Sequence, residues 1–267
     1  HFVILGSGDI GMIMARRLTF EGAKVERVLE IMPFLSGLMR NYVQCLQDFD
    51  IPLQLQHTVK RIIGDKRVEA VETVAVDEHF QPIAGTEEII PCDTLLLSVG
   101  LIPENELSRQ AGVKIDPLTN GPVVDSRFQT SVPGIFSAGN VVHVYDLVDW
   151  VTEAGFEAGR GAALFAQGRL PKPNKLVNTA GGENVRYVIP QQIDPDALVE
   201  NGIVLQMRAR LPIEEPVWVE AVANGKQITR RALPYARPGE MVTLNLRPDH
   251  ADDLRGSDTI TLNIIKR

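Results

Sequence analysis

Residues Gly6, Ser7, Gly8, Asp9, Ile10 and Gly11 form a G-x-G-x-x-G turn between an apolar run, His1 to Leu5, and a helical stretch, Met12 to Phe20. In that context the spacing suits the pyrophosphate of a dinucleotide. Gly6 permits the tight turn, Gly8 lets the backbone approach the phosphates, and Gly11 lets the helix pack close to the strand. The phosphates would rest on the free N–H groups at the positive end of the helix. Glu30, closing the next strand-like run, is the second chemical position. A carboxylate there accepts the hydroxyls of an adenine ribose and repels a 2′-phosphate, so NAD(H) is expected in preference to NADP(H). Arg27 is the feature that leaves NADP(H) open. By count from Gly6, Glu30 comes one residue late, and Leu29 falls at the customary place. Side chains alternate along a strand. A bulge around Glu26 to Val28 is therefore expected, returning Glu30 to the Gly6–Gly11 turn.

A third group lies further on. Gly139 and Asn140 suit a turn before a helix, and Asn keeps an acceptor oxygen. His143 follows and is a candidate for acid–base chemistry; the alternative is a satisfied packing histidine. Asp149 reads as a helix cap. The two cysteines, Cys45 and Cys92, lie far apart, so neither a redox dithiol nor a zinc knuckle is expected within this chain. No site residue is assigned to a metal.

The elements that must position these groups follow from pattern. Ala23 to Ile31 reads as a second strand, Asn41 to Phe49 as a helix, and Leu53 to Val59 as a third strand. Alternating apolar residues between Lys60 and Cys92 suggest an antiparallel meander, and Thr94 to Val99 a buried parallel strand. A helix is expected from about Val148 to Gln167, its small residues suited to close packing. After the linker Leu170-Pro171-Lys172-Pro173-Asn174, short β-type runs recur: Val185–Ile189, Ile203–Arg210, Val217–Val222, Met241–Leu246 and Thr259–Ile265. Asn224-Gly225 is a hairpin signal. The fold class is α/β: a Rossmann-like domain with an inserted meander (1–103), a second segment (104–170) and a small all-β, sandwich-like domain (176–267).

The 267 residues are 44% hydrophobic and 23% charged, ordinary for a globular protein. A formal charge of −7 argues against nucleic-acid or anionic-membrane partners. No apolar run approaches the roughly 20 residues of a membrane span, and a cytoplasmic location is expected. The chain starts one strand before its glycine turn without an initiator Met, and is expected to be a piece of a larger protein.

The ordered motifs, ending in "CDTLLLSVGLIPEN", "GPVVD" and "TSVPGIFSAGN", resemble the FAD-dependent pyridine nucleotide-disulfide oxidoreductases over about residues 1 to 168. The resemblance implies an NAD(P)H-binding Rossmann domain followed by the C-terminal half of a split FAD-binding domain. FAD is then a cofactor of the full-length parent, and the N-terminal FAD half is a missing partner of this chain. Glu30-Ile31-Met32-Pro33 matches the family's E-x-x-P tail, and Gly100, Pro103 and Glu104 its G-x-x-P hinge. Gly139-Asn140 falls where the family has Gly-Asp against the flavin ribityl chain. The β-rich tail looks like that of bacterial flavoprotein subunits found beside glycerol-3-phosphate dehydrogenase-like partners, which implies a second dehydrogenase subunit. The implied function is an NADH-linked FAD-dependent oxidoreductase, or a subunit of one, passing hydride from nicotinamide to flavin. A simple NAD-dependent dehydrogenase would be supported by a Tyr-x-x-x-Lys pair, which no tyrosine here provides. The alternative of another class is a non-catalytic nucleotide-binding assembly subunit that docks through its β-domain.

Overall fold

A computed structural model describes residues 1–267, the side chain of Asn201 excepted. The chain divides into two compact units, His1–Gly100 and Leu101–Arg267.

The first unit is built on β1 (Phe2–Leu5), α1 (Asp9–Phe20), β2 (Val25–Glu30), α2 (Met39–Cys45), β3 (Leu53–Leu55), β4 (His57–Ile63), β5 (Ala70–Ala75), β6 (Glu88–Pro91) and β7 (Thr94–Leu97). A parallel sheet runs β3-β2-β1-β7, and an antiparallel one runs β4-β5-β6. The parallel sheet has two apolar faces because something covers each. Ile4 and Val28 pack with Met12 and Ala15 of α1, whereas Val3 and Leu29 pack with Val71 and Ile90 of the meander.

Two strand expectations need correction. The run Leu53 to Val59 is not one strand: Gln56 takes a positive φ of 54°. This break sends β3 into the parallel sheet and β4 into the meander. Nor is Thr94 to Val99 a fully buried strand. β7 pairs only with β1 and forms the sheet's edge, and Leu97 is 64% exposed.

The second unit contains α3 (Glu106–Gln110), α4 (Val148–Ala166), β8 (Val177–Gly181), β9 (Val185–Ile189), β10 (Gln192–Ile193), α5 (Pro195–Asn201), β11 (Ile203–Ala209), β12 (Val217–Ala223), β13 (Lys226–Leu233), β14 (Val242–Leu246), α6 (Ala251–Arg255) and β15 (Thr259–Lys266). Segments 104–170 and 176–267 lie together in it. The β-strands form a five-stranded sheet, β10-β8-β15-β12-β13, and a three-stranded sheet, β14-β11-β9. Leu205 and Met207 of β11 join Val217, Val219 and Ala221 of β12 and Ile260, Leu262 and Ile264 of β15 in one core. Strict alternation buries every second residue of β12, as a one-sided sheet requires. The other face of the three-stranded sheet is not free. Tyr187 and Ile189 of β9 pack with Val124, Phe128, Val142 and Ala158. One thin sheet therefore serves two cores, which joins the segments. Asn224 and Gly225 both take positive φ, and β12 and β13 pair across them as the expected hairpin.

His143 lies in this second core, 1% exposed. Its ring packs at a tilt against Tyr145, centroids 4.0 Å apart, and Nδ1 lies 3.3 Å from the Tyr187 hydroxyl. Burial, reinforced by the Arg208 charge, lowers its pKa to about 3. It is a neutral packing residue, and solvent does not reach it.

Helix α4 contains a built-in contrast. A Cβ on Gly161 would stand 2.7 Å from the Phe136 ring and 2.8 Å from the Arg127 carbonyl oxygen. One on Gly159 would meet nothing within 4 Å. Gly161→Ala is expected to destabilise the unit by about 1–3 kcal/mol, and Gly159→Ala to stabilise it by about 0.5–1 kcal/mol. Urea melts of the two variants check the opposite signs. A second expectation concerns His143. In the unfolded chain the imidazole takes its proton near pH 6.5, whereas in the folded chain it does so only at about 3. The unfolded state binds the extra proton between these values. Stability should fall as pH drops through that window, by up to about 1.4 kcal/mol per pH unit. Melts at about pH 7 and about pH 5 should show a shallower dependence in His143→Gln; an unchanged dependence would contradict the neutral core assignment.

Candidate functional site

The first site is set by a one-residue irregularity. Phe2 pairs with Val25, but Val3 pairs with Arg27, so Glu26 is an extra residue in β2. Val25 and Val28 consequently both face α1, although three positions separate them. Without the bulge Glu30 would face the meander. With it, Leu29 takes the meander side, and Glu30 turns toward the glycine turn. There its Oε2 accepts hydrogen bonds from the Ser7 backbone N–H (3.0 Å) and the Ser7 hydroxyl (2.6 Å). Glu30 is 4% exposed, yet it is satisfied. Ser36 Oγ also donates to Oε2 at 2.7 Å, and Met32 N donates to Oε1 at 2.9 Å. Arg27 goes the other way: its guanidinium grips Glu88 at 2.8 and 3.0 Å and Gln54 at 2.7 Å. It has no part in the Glu30 cluster.

The glycines of the turn divide by what crowds them. A Cβ on Gly6 would stand 2.1 Å from the Ser98 carbonyl oxygen, and Gly6 takes a φ of +103°. A Cβ on Gly11 would lie 2.6 Å from the Gly6 carbonyl oxygen and 2.8 Å from Ser98 Cβ. Both are required by the close pass of the chain after β7. At Gly8 a Cβ would find only ordinary contacts, at 3.6 Å. Nothing in the protein demands glycine there, so the small residue suits a ligand that approaches the backbone. Among the described residues, the N–H groups of Asp9, Ile10 and Gly11 have no protein acceptor. Asp9 directs its carboxylate away, taking Leu38 N at 2.8 Å and Asn41 Nδ2 at 2.7 Å. Ile10 is 66% exposed. The start of α1 thus presents free donors and no competing acid, the requirement for an anion.

Ser36, Gly37 and Ser98 belong to this site and were not singled out from sequence. The loop 36–38 docks on the turn through Gly37 N to Ser7 O (3.1 Å) and Ser36 N to Ser7 Oγ (3.0 Å). A Cβ on Gly37 would come within 2.9 Å of Asp9 N. The signal was available as a Ser-Gly pair just past the acid. Gly100 closes the first unit at a φ of +95°.

The second candidate site lies within the second unit. Gly139, at a φ of +75°, and Asn140 open a short helical turn. Asn140 Oδ1 accepts from Tyr145 N at 3.2 Å. Behind the turn, buried Asn105 donates from Nδ2 to the carbonyls of Asn120 and Val141, both at 2.8 Å. A cavity of about 600 Å³ adjoins, lined by Glu104, Leu107, Phe136, Ser137, Ala138 and Val141. Asp149 sits in the first turn of α4 but caps nothing, since the cap position belongs to Leu147. Asp146 instead accepts from Met241 N at 3.0 Å and lies 3.5 Å from Arg208. It ties the loop before α4 to the β-rich part. His143 does not line this cavity. Of its two readings, acid–base candidate and packing histidine, the core position described above supports the second.

Comparison with known proteins places these sites in context. An NADH oxidase of Methanocaldococcus jannaschii is 30% identical over 176 residues, covering 64% of this chain and 36% of that protein. An NAD(P)H sulfur oxidoreductase (CoA-dependent) of Pyrococcus abyssi is 30% identical over 183 residues, covering 60% of this chain and 36% of that protein. The chain thus spans about a third of the length of these relatives. The crystal structure of T. acidophilum thioredoxin reductase superposes with a TM-score of 0.52 at 31% identity, covering 62% of this chain and 52% of that one. The family model for pyridine nucleotide-disulphide oxidoreductases matches residues 1–158, a span that takes in the glycine turn, Glu30 and Gly139-Asn140, and the chain belongs to that family.

Proposed function

We propose that the chain is the NAD(H)-binding part of an NADH-linked, FAD-dependent oxidoreductase. The observation that carries this reading is the Glu30 carboxylate, buried and hydrogen-bonded to the second residue of the glycine turn. The free N–H groups at the start of α1 suit the pyrophosphate, and Gly8 leaves room for it. A carboxylate at Glu30 accepts from a ribose hydroxyl and repels a 2′-phosphate. Arg27, three residues before Glu30, is held by Glu88.

For FAD, the residues present fit one side of a site. Gly139 and Asn140 form the turn, the adjoining cavity has room for part of the group, and α4 begins beside them without a side-chain cap. FAD, when bound, supplies a two-electron acceptor for the nicotinamide hydride. The protein's contribution is to bind and orient: Asn140 offers a neutral side chain where the family has an acid, and the start of α4 offers N–H donors. No proton needs to be moved by His143 for hydride transfer. The remaining FAD contacts are assigned to a polypeptide half outside this chain. The β-rich, sandwich-like region 176–267, which carries the short helices α5 and α6 and so is not all-β as expected, and a second dehydrogenase subunit as its partner belong to the same proposal. Among the described residues no helix is long and apolar enough to cross a membrane. The two free, buried cysteines suit a cytoplasmic setting.

The reading makes two expectations. NADH should bind more tightly than NADPH in titration calorimetry, and Glu30→Gln should bring the two affinities together within about an order of magnitude. Equal or tighter NADPH binding by the unaltered chain would remove the assignment. The purified chain should also lack stoichiometric flavin absorbance, whereas the same chain joined to its FAD-binding half should be yellow. FAD retained one-to-one by the 267-residue chain alone would refute the division of the flavin site.

A further inference from the structure

The hydrogen bonds to Glu30 are unevenly shared. Oε2 accepts from Ser7 N, Ser7 Oγ and Ser36 Oγ, at 3.0, 2.6 and 2.7 Å, while Oε1 accepts only from Met32 N, at 2.9 Å. Each carboxylate oxygen has about two lone-pair directions. Oε2 is therefore full, and Oε1 keeps one acceptor position. Two of the three donors on Oε2 come from Ser7 and are fixed by the glycine turn. The third comes from Ser36, in a separate loop. Ser36 acts twice, because its N–H also donates to Ser7 Oγ at 3.0 Å and so commits the Ser7 hydroxyl proton to Glu30.

We infer that Ser36 is a positioning residue that sets nucleotide specificity. It holds the Glu30 carboxylate in one orientation against the turn, so that Oε1 is the atom left to meet a ribose hydroxyl. The loop geometry supports this assignment independently of the hydroxyl. Gly37 N binds Ser7 O at 3.1 Å, and Leu38 N and Asn41 Nδ2 bind Asp9 Oδ1 at 2.8 and 2.7 Å. Ser36 is thus presented on a loop fastened on both sides of the turn. A fixed carboxylate cannot swing away from a 2′-phosphate, so the penalty against NADPH is kept. An acid free to rotate would relax and admit it. The inference rests on the proposed role of Glu30.

The test is a double-mutant cycle read by calorimetric Kd values for NADH and NADPH, with no flavin or turnover required. Ser36→Ala removes the hydroxyl and keeps the N–H. It should lower the preference for NADH over NADPH by about threefold to tenfold, the effect of one ordinary net hydrogen bond. Ser36→Thr should restore the preference. In a Glu30→Gln background, Ser36→Ala should no longer move the ratio. An unchanged ratio in Ser36→Ala, with the ratio collapsed in Glu30→Gln, would overturn the inference and leave the Glu30 reading intact. An unchanged ratio in Glu30→Gln would overturn both. Should Ser36→Ala fail to fold, Ser36→Cys poses the same question with a weak donor in place of the hydroxyl.

Discussion

A single extra residue, Glu26, decides which side chain of β2 reaches the glycine turn. Strand side chains alternate strictly, so the face on which Glu30 emerges is fixed by everything before it in β2. The bulge between Val25 and Arg27 inverts that face once. Val28 then joins the helical side, Leu29 fills the meander side, and Glu30 reaches the turn. The same inversion sends Arg27 toward Glu88. One local irregularity thus brings the acid in and takes the cation out. Bulges commonly re-aim a side chain beside a binding site.

The second unit solves a different problem. A three-stranded sheet with one buried face would leave the other exposed to water. Here β11 places Leu205 and Met207 in one core, while its neighbour β9 gives Tyr187 and Ile189 to another. The loop carrying Gly139 and Asn140 is held from behind by Asn105, and the loop before α4 by Asp146 and Arg208. These buried polar ties are costly to break, because each would leave a desolvated group unpaired. The turn and the start of α4 are therefore fixed by the same packing that joins the β-rich region to them.

Much of this was legible in the residues. The glycine spacing, the bulge demanded by the late Glu30, the hairpin at Asn224-Gly225 and the span of α4 all follow from local rules of backbone and side-chain geometry. What was not legible depends on tertiary neighbours. Gln56 carries no turn signature, yet its positive φ splits one apolar run between two sheets. β13 reads as polar, with Lys226, Arg230 and Arg231, because it is an edge strand and edges are commonly guarded by charge. From the chain, His143 reads either as an acid–base candidate or as a packing histidine, and its enclosure by Tyr145 and Tyr187 decides for packing. Ser36 and Ser98 are common residue types whose roles come from the atoms beside them, Glu30 in one case and Gly6 in the other.

If the bulge at Glu26 places Glu30 to read an adenine ribose, the bound nucleotide must touch that carboxylate. A crystal structure of the chain with ADP-ribose tests it most directly. The pyrophosphate is expected over the start of α1, with a ribose hydroxyl donating to Glu30 Oε1. Ribose density away from Glu30, or Glu30 still closed over by Ser7 and Ser36 with no contact to the nucleotide, would contradict it.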